Sequence, residues 1–349
     1  MRVLLTHERF PPDFAGGGEW HVLQTARYMK RRGIDVRVLT TGDARVEAYD
    51  GIPTTRLPIH RYRLNLCASV IAKHARDATL IQTFNFHACL PSQIAAARLG
   101  KPVVCGVLGL YGRVWREMKG LLRGRLWCAW ERYLMRRAYS RLIFLSDYSR
   151  HLGIEMGAPP ERSIVIPTAV ELERYGPAAQ KTNEVLFVGK FDVRKGVYEL
   201  LEAARLLPDI PFRLIGWGPG ESAVRAGAPG NVRVEILDSG GPPIEAFARA
   251  SIFALPSHVE GMSRAVLEAM ASGCAIVSCM PGDFAGREVP VGDAARLAAA
   301  LRELWSDRGL TEACGRRNLE TARSYSWDTY ADRLLQVYDE LVGERQVVA

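Results

Sequence analysis

The chain of 349 residues has no CxxC pair. Its seven cysteines, at 67, 89, 105, 128, 274, 279 and 314, are odd in number and scattered. Disulfide frameworks and structural zinc sites use closer, paired spacings, so reduced and mostly buried thiols are expected. The seven histidines show no HxxxH or HExxH spacing, and no metal site is expected. No run of 18 apolar residues occurs, which argues against a transmembrane helix. The opening Met1–His7 turns polar too soon for a secretory core, so a cytoplasmic protein is expected. GxSxG and GxxxxGK[ST] are also missing, which leaves serine-hydrolase and phosphate-binding-loop chemistry without support.

What is present is βα alternation. Val3–Leu5 reads as a buried strand, 10–18 as a loop, Glu19–Arg32 as a helix and Val36–Leu39 as a second strand. The alternation continues through a long helical stretch ending near Tyr139. A polar segment, Pro167–Thr182, then fits a linker, and strands and helices resume at Val185. The expected fold is α/β, two doubly wound, Rossmann-like domains facing a cleft. The expected boundaries are 1–166, 167–325 and a C-terminal amphipathic helix, 326–349, returning to the first domain. Ligands of such folds sit at the carboxyl ends of the strands.

Three clusters carry candidate chemistry. In the stretch from Leu255 to Gly273, a strand leads through a loop with Glu260 to a helix capped by Ser263 and carrying Glu268. The helix's amino end suits phosphate oxygens. A carboxylate accepts two hydrogen bonds at once and so suits vicinal hydroxyls, Glu268 those of a ribose and Glu260 those of a sugar ring. Taken singly, Glu268 is more often a surface helix residue and Glu260 a capping-loop acid. The second cluster, Phe187–Gly196, places Lys190, Arg194 and Lys195 between Gly189 and Gly196, an arrangement that suits a diphosphate leaving group. A solvated basic loop is the plain alternative. The third, Ala15–Glu19, puts three glycines at a helix start. Neither it nor Gly216–Gly220 has the GxGxxG spacing, so a nicotinamide cofactor is not supported. His87, after a strand, fits either a ligand-facing position or a satisfied strand-end histidine.

With these residues in view, the chain resembles the retaining glycosyltransferases of family 4, group 1. Glu260 and Glu268 reproduce an E-x7-E signature. Phe10-Pro-Pro with Gly16, Gly17 and Glu19 looks like the acceptor-side loop, Gly189-Lys190 with Lys195-Gly196 like the diphosphate clamp, and Ile215–Pro219 like the glycine turn. Ser324–Asp328 opens a helix similar to the family's last one. The resemblance implies a GT-B fold and transfer of a sugar from a nucleotide-sugar donor, UDP- or GDP-linked, to a saccharide or lipid-linked saccharide. It implies retention of configuration, no metal and no cofactor, the nucleotide-sugar being a substrate. By position it implies catalytic roles for Glu260, Lys190 and Lys195. Donor contacts fall to Gly16, Gly17, Gly189, Arg194, Gly216, Gly261, Met262, Ser263 and Glu268, and Glu19 and His87 stand on the acceptor side. The sequence departs from the family pattern in Lys190, where arginine is usual, and in Leu108, where a donor-sugar histidine is usual, His87 being the nearest substitute. It also departs in a short stretch between Ser278 and Asp293. A nucleotide-sugar epimerase and a non-catalytic nucleotide-sugar-binding protein are the alternatives on the same fold.

Negative charge is scarce in the first half. Residues 1–170 carry 26 Lys and Arg against 13 Asp and Glu, whereas 171–349 carry 20 against 25. The densest basic segment, Arg113–Arg141, has nine basic and two acidic residues together with Trp115, Trp127, Trp130, Tyr133 and Tyr139. Basic residues mixed with interfacial aromatics suit an anionic membrane surface, which points to a peripheral protein on the inner face of the membrane. A helix with a solvated basic face and buried aromatics suits the same residues. No nucleic-acid motif is present.

Overall fold

A computed structural model describes residues 1–13, 16–237 and 241–348, so Phe14 and Ala15 of the first glycine-rich loop lie outside the described residues. The chain divides into two compact units. One comprises Met1–Gly112, Leu126–Thr168 and Trp327–Ala349, the other Arg113–Arg125 and Ala169–Ser326. The first domain read from the sequence contained Arg113–Arg125, but those residues make their contacts in the second unit.

The first unit is built on β1 (Arg2–Thr6), β2 (Asp35–Thr41), β3 (Ala48–Tyr49), β4 (Ile52–Leu57), β5 (Leu80–Phe84), β6 (Val103–Val107), β7 (Arg141–Phe144) and β8 (Ser163–Val165). They form one sheet in the order β3-β4-β2-β1-β5-β6-β7-β8. Every pairing is parallel except the β3–β4 hairpin, which turns through Asp50 and Gly51, both at positive φ. Strands β5 and β6 are buried at every residue, as expected where helices cover both faces of a parallel sheet. The short β4 and the helix Asp147–Glu155 escape a periodicity reading, because β4 buries Thr54 and Arg56 beside Ile52 and the helix is polar.

The second unit carries β9 (Thr182–Lys190), β10 (Phe212–Trp217), β11 (Val232–Ile236), β12 (Ala250–Leu255), β13 (Ala275–Ser278) and β14 (Gly286–Glu288). Their order is β11-β10-β9-β12-β13-β14, and all pairs are parallel. One continuous core, including Phe187, Phe191, Phe212, Phe247 and Phe253, fills the space between sheet and helices. Each unit is thus a Rossmann-like layer sandwich.

The last helix, Trp327–Val348, packs within the first unit against the helix Gly17–Arg31. Arg32 pairs with Asp328 at 2.8 Å and Asp332 at 2.9 Å. Beneath them the buried His21 ring bridges Thr168 Oγ1 at 2.9 Å and Tyr330 Oη at 3.1 Å, edge-on to Tyr330 and beside Trp327. Burial pushes the His21 pKa down to about 3, with the nearby His7 adding to the effect. His21 is therefore neutral in the folded chain and titrates near 6.5 when unfolded. The unfolded state takes up a proton first, so stability is lost as pH falls below about 6.5, by a few kcal/mol near the lower end of the range. Chemical denaturation from pH 7 to pH 4 is expected to show this slope, and His21→Gln to flatten it.

Candidate active site

In the second unit the chain leaves the middle of the sheet in both directions. β9 pairs with β10 on one side and with β12 on the other. The crevice outside the carboxyl ends of β9 and β12 is therefore the topological switch point, where open α/β sheets bind ligands. β9 ends on Lys190, and β12 ends on Leu255, which leads into the loop holding Glu260.

Glycines bring these two loops together. Gly196 has φ of 66°, and a Cβ there would lie 1.9 Å from the Pro256 carbonyl oxygen, so no side chain fits. Asp192 caps the 3-10 turn Val193–Lys195 by accepting from the Lys195 backbone N–H at 3.2 Å. The His258 backbone N–H donates to the Arg194 carbonyl at 2.8 Å. Held in this way, Lys195 Nζ forms an ion pair with Glu260 Oε1, and Ser257 Oγ donates to the same oxygen at 2.9 Å. The Lys195 and Glu260 side chains are only 16% and 11% exposed. Burial lowers the Lys195 pKa, and the Glu260 charge opposes that shift. Burial alone would raise the Glu260 carboxyl, but Lys195 and Arg194 hold it below its ordinary range, so the pair is ionised. Arg194 also faces Asp192 at 3.6 Å.

Three residues beyond Glu260, the Ser263 hydroxyl accepts from the Val266 N–H at 3.4 Å and caps the helix Arg264–Ala271. Ser263, not Glu260, is therefore the capping side chain. Glu268 is not a surface residue of that helix. It is 4% exposed, pairs with Arg264 Nε at 2.9 Å and accepts a hydrogen bond from the Tyr175 hydroxyl. Burial nevertheless lifts its carboxyl above the usual range. Gly261 is buried and Met262 half-buried against the core.

Lys190 is half-buried, its stem lying against Gly218, where a Cβ would sit 2.9 Å from Lys190 Cγ. Gly216 has a packing reason of its own. A Cβ there would meet the Gly189 carbonyl oxygen at 2.2 Å and the Phe191 ring at 2.6 Å. The glycine turn at 216–220 is thus shaped first by the Phe191 ring and backbone beneath it. No comparable demand falls on Gly16 and Gly17 in the first unit, where an added Cβ meets nothing within 4 Å. Glu19 is buried in the first turn of the helix Gly17–Arg31.

The first unit has its own switch point between β1, β2 and β5. His7 and Glu8 follow β1, and Asn85, Phe86 and His87 follow β5. The His87 backbone N–H donates to Glu8 Oε2 at 3.1 Å, and its ring Nδ1 lies 3.0 Å from Asn65 Nδ2 and edge-on to Tyr62. Burial pushes the His87 pKa down, and Arg61, His7 and His60 add to the shift. Asn85 accepts from the Leu108 N–H at 2.9 Å and donates to the Gly109 carbonyl at 2.6 Å, which fixes the loop after β6. Leu108 itself contacts Gly18, whose Cβ would lie 3.4 Å from Leu108 Cδ1. The sequence did not point to Glu8, Asn65, Tyr62 or Asn85. Glu8, Asn65 and Tyr62 are linked to His87 by contacts that no sequence spacing encodes.

His258 was also missed. Its Nε2 lies 2.8 Å from Glu199 Oε1 and its Nδ1 3.1 Å from Glu117 Oε2. With both nitrogens facing carboxylates, the doubly protonated ring is favoured, and its pKa is raised, mainly by the Glu199 hydrogen bond. The bridge from the Glu260 loop to Glu199 and Glu117 is therefore complete below about pH 6.5 and is lost as pH rises through the raised value.

Among the described residues, no group of three His, Cys, Asp or Glu is placed to hold a metal ion. Five of the seven cysteines are buried.

Comparison with known proteins places these features in context. Residues 15–174 match the model for Glycosyltransferase Family 4, and residues 182–307 match that for Glycosyl transferases group 1. A D-inositol 3-phosphate glycosyltransferase of Acidothermus cellulolyticus is 27% identical, the match covering 96% of this chain and 88% of that one. Among solved structures, sucrose-phosphate synthase from Thermosynechococcus elongatus superposes with a TM-score of 0.81 at 18% identity, covering 98% of this chain and 99% of that chain. The Anabaena protein HepE in complex with UDP-glucose superposes at 0.78 with 18% identity, covering 97% of this chain and all of that one.

Two predictions follow from the geometry. Lys195→Met strands a buried carboxylate and is expected to cost about 3–5 kcal/mol, part of which Lys195→Met/Glu260→Leu restores. Urea denaturation of the two variants tests this. An NMR titration of His258 is expected to give a pKa above the ordinary 6.5, falling back in Glu199→Gln.

Proposed function

The chain belongs to the group 1 glycosyltransferases of family 4, and from that premise we propose that the second unit binds a UDP- or GDP-sugar whose sugar passes to a saccharide or lipid-linked saccharide. The observation that carries the reading is the buried, ionised Lys195–Glu260 pair at the β9–β12 switch point, with Arg194 beside it and a capped helix start three residues on. A nucleotide-sugar offers two things to such a site. Its diphosphate is anionic and suits Lys190, Arg194, Lys195 and the first-turn amides of the helix Arg264–Ala271. Its sugars carry vicinal hydroxyls and suit Glu260 at the hexose and Glu268 at the ribose.

In transfer, the bond from the anomeric carbon to the diphosphate oxygen breaks, and a bond from the acceptor oxygen to that carbon forms. The acceptor hydroxyl gives its proton to the departing diphosphate oxygen, which has taken the electron pair of the broken bond. Charge grows on the departing diphosphate, and cations fixed beforehand stabilise it at no cost of reorganisation. Lys195 is suited to this because it already sits desolvated against Glu260. The incoming phosphate oxygens then compete for an ammonium whose position is set. We assign the diphosphate's neutralisation to these side chains and not to a metal ion. Retention of the anomeric configuration rests on the resemblance of the E-x7-E stretch to retaining enzymes. The acceptor side is assigned to the first unit, at Glu19 and around His87, the nearest substitute for the imidazole that Leu108 replaces.

Removing one charge-assisted contact costs about 1.5–3 kcal/mol. Lys195→Ala and Glu268→Ala are therefore each expected to weaken UDP or GDP binding by roughly tenfold or more, read by calorimetry. Unchanged affinity in both overturns the donor assignment. A thermal-shift screen across UDP-, GDP-, ADP- and dTDP-sugars identifies the base. Transfer is expected to survive excess EDTA, and the anomeric proton coupling of the product to match that of the donor.

A further inference from the structure

The segment Arg113–Arg125, assigned by its contacts to the second unit, folds as a tight helical corner. The helix Val114–Lys119 stops at Gly120, which takes φ of 75°, and a second helix, Leu121–Met135, begins at once. The two helices touch at Gly124, where a Cβ would lie 2.5 Å from Arg116 Cα, so only glycine lets them close. This differs from the single long helix expected from the sequence.

The corner also reverses the expected roles of its apolar residues. Trp115 and Tyr139 are buried, Trp127 and Trp130 are half-buried, and of the five aromatics only Tyr133 is exposed. The exposed apolar surface is leucine. Leu121 is 63% exposed and Leu122 76%, and Leu126, one turn further along the same helix, is 72% exposed. Arg113, Arg116, Lys119, Arg123 and Arg125 surround the corner, and all are exposed. Among the described residues, no ion pair ties any of these five to a carboxylate. The one acid of the segment, Glu117, faces His258.

Adjacent exposed leucines cost solvation free energy in water unless something covers them. Five free cations around them specify a negatively charged cover. We propose that the corner Lys119–Arg123 is a membrane-docking tip, whose Leu121 and Leu122 enter the headgroup boundary of an anionic bilayer while Lys119, Arg123 and Arg125 contact lipid phosphates. An acidic protein surface would satisfy the cations, but it would cover the two leucines only if it also carried an apolar pocket matched to them. A bilayer accepts both, because its boundary takes up apolar side chains and its headgroups carry the charge. The tip lies on the surface and does not span it, for among the described residues no helix is long and apolar enough to cross a membrane. This deepens the proposed function by supplying a reason for the acceptor to be lipid-linked. It does not depend on which nucleotide binds.

The test is flotation of the full chain with phosphatidylcholine vesicles, with and without one third phosphatidylglycerol. Binding is expected only with the anionic lipid and should fall in high salt. Leu121→Asp/Leu122→Asp should weaken it by about tenfold or more, and Arg123→Glu/Arg125→Glu should abolish the preference for anionic lipid. In both variants the melting temperature and the calorimetric affinity for UDP or GDP should match the parent, which separates this result from any failure of the donor assignment. Equal flotation with both vesicles, undiminished binding of the leucine variant, or capture by an acidic protein with no vesicle binding each overturns the proposal.

Discussion

The second unit depends on one buried ion pair. Lys195 and Glu260 are 65 positions apart in sequence and meet because two loops leave adjacent parallel strands at the same end of the sheet. An unpaired buried lysine or glutamate would be costly, so each residue makes the other tolerable. Close backbone packing explains the glycines nearby. Gly196 is fixed by the Pro256 carbonyl, and Gly216 by the Gly189 carbonyl and the Phe191 ring. Ser257, Asp192 and the His258 backbone then lock both loops. A ligand's diphosphate would meet charge that is already oriented and already stripped of water, the condition under which electrostatic stabilisation is strongest.

The same logic holds at the switch point of the first unit, with different residues. Glu8 is tied to the His87 backbone, and the His87 ring to Asn65 and Tyr62. These contacts join the ends of β1 and β5 to the turn Arg61–Leu66. Both units therefore place their polar, partly desolvated groups where the connections of a doubly wound sheet diverge. A basic, leucine-tipped corner sits in the segment that supplies Glu117 to His258.

Much of this was legible in the sequence because the relevant signals are local. The strand Ala275–Ser278 and the helix Arg264–Ala271 have the bounds that periodicity gives. Ser263 is a cap because serine before an apolar helix is a local signal. Glu260 and Glu268 stand out through their spacing. What stayed hidden was tertiary. No spacing rule pairs Lys195 with Glu260, His258 with Glu199, or Glu268 with Tyr175. Composition marked Arg113–Arg141 as basic and aromatic, but which side chains face water depends on the Gly120 corner and the Gly124 contact, so the tryptophans turned inward and the leucines outward.

The most direct measurement is the electron density of the protein crystallised with a UDP- or GDP-sugar. The diphosphate should lie against Lys195 and Arg194 at the amino end of the helix Arg264–Ala271, with the Lys195–Glu260 contact opened and the Glu260 carboxylate turned to the donor sugar. A nucleotide-sugar bound elsewhere, with that ion pair left intact and out of reach of the ligand, would contradict the account.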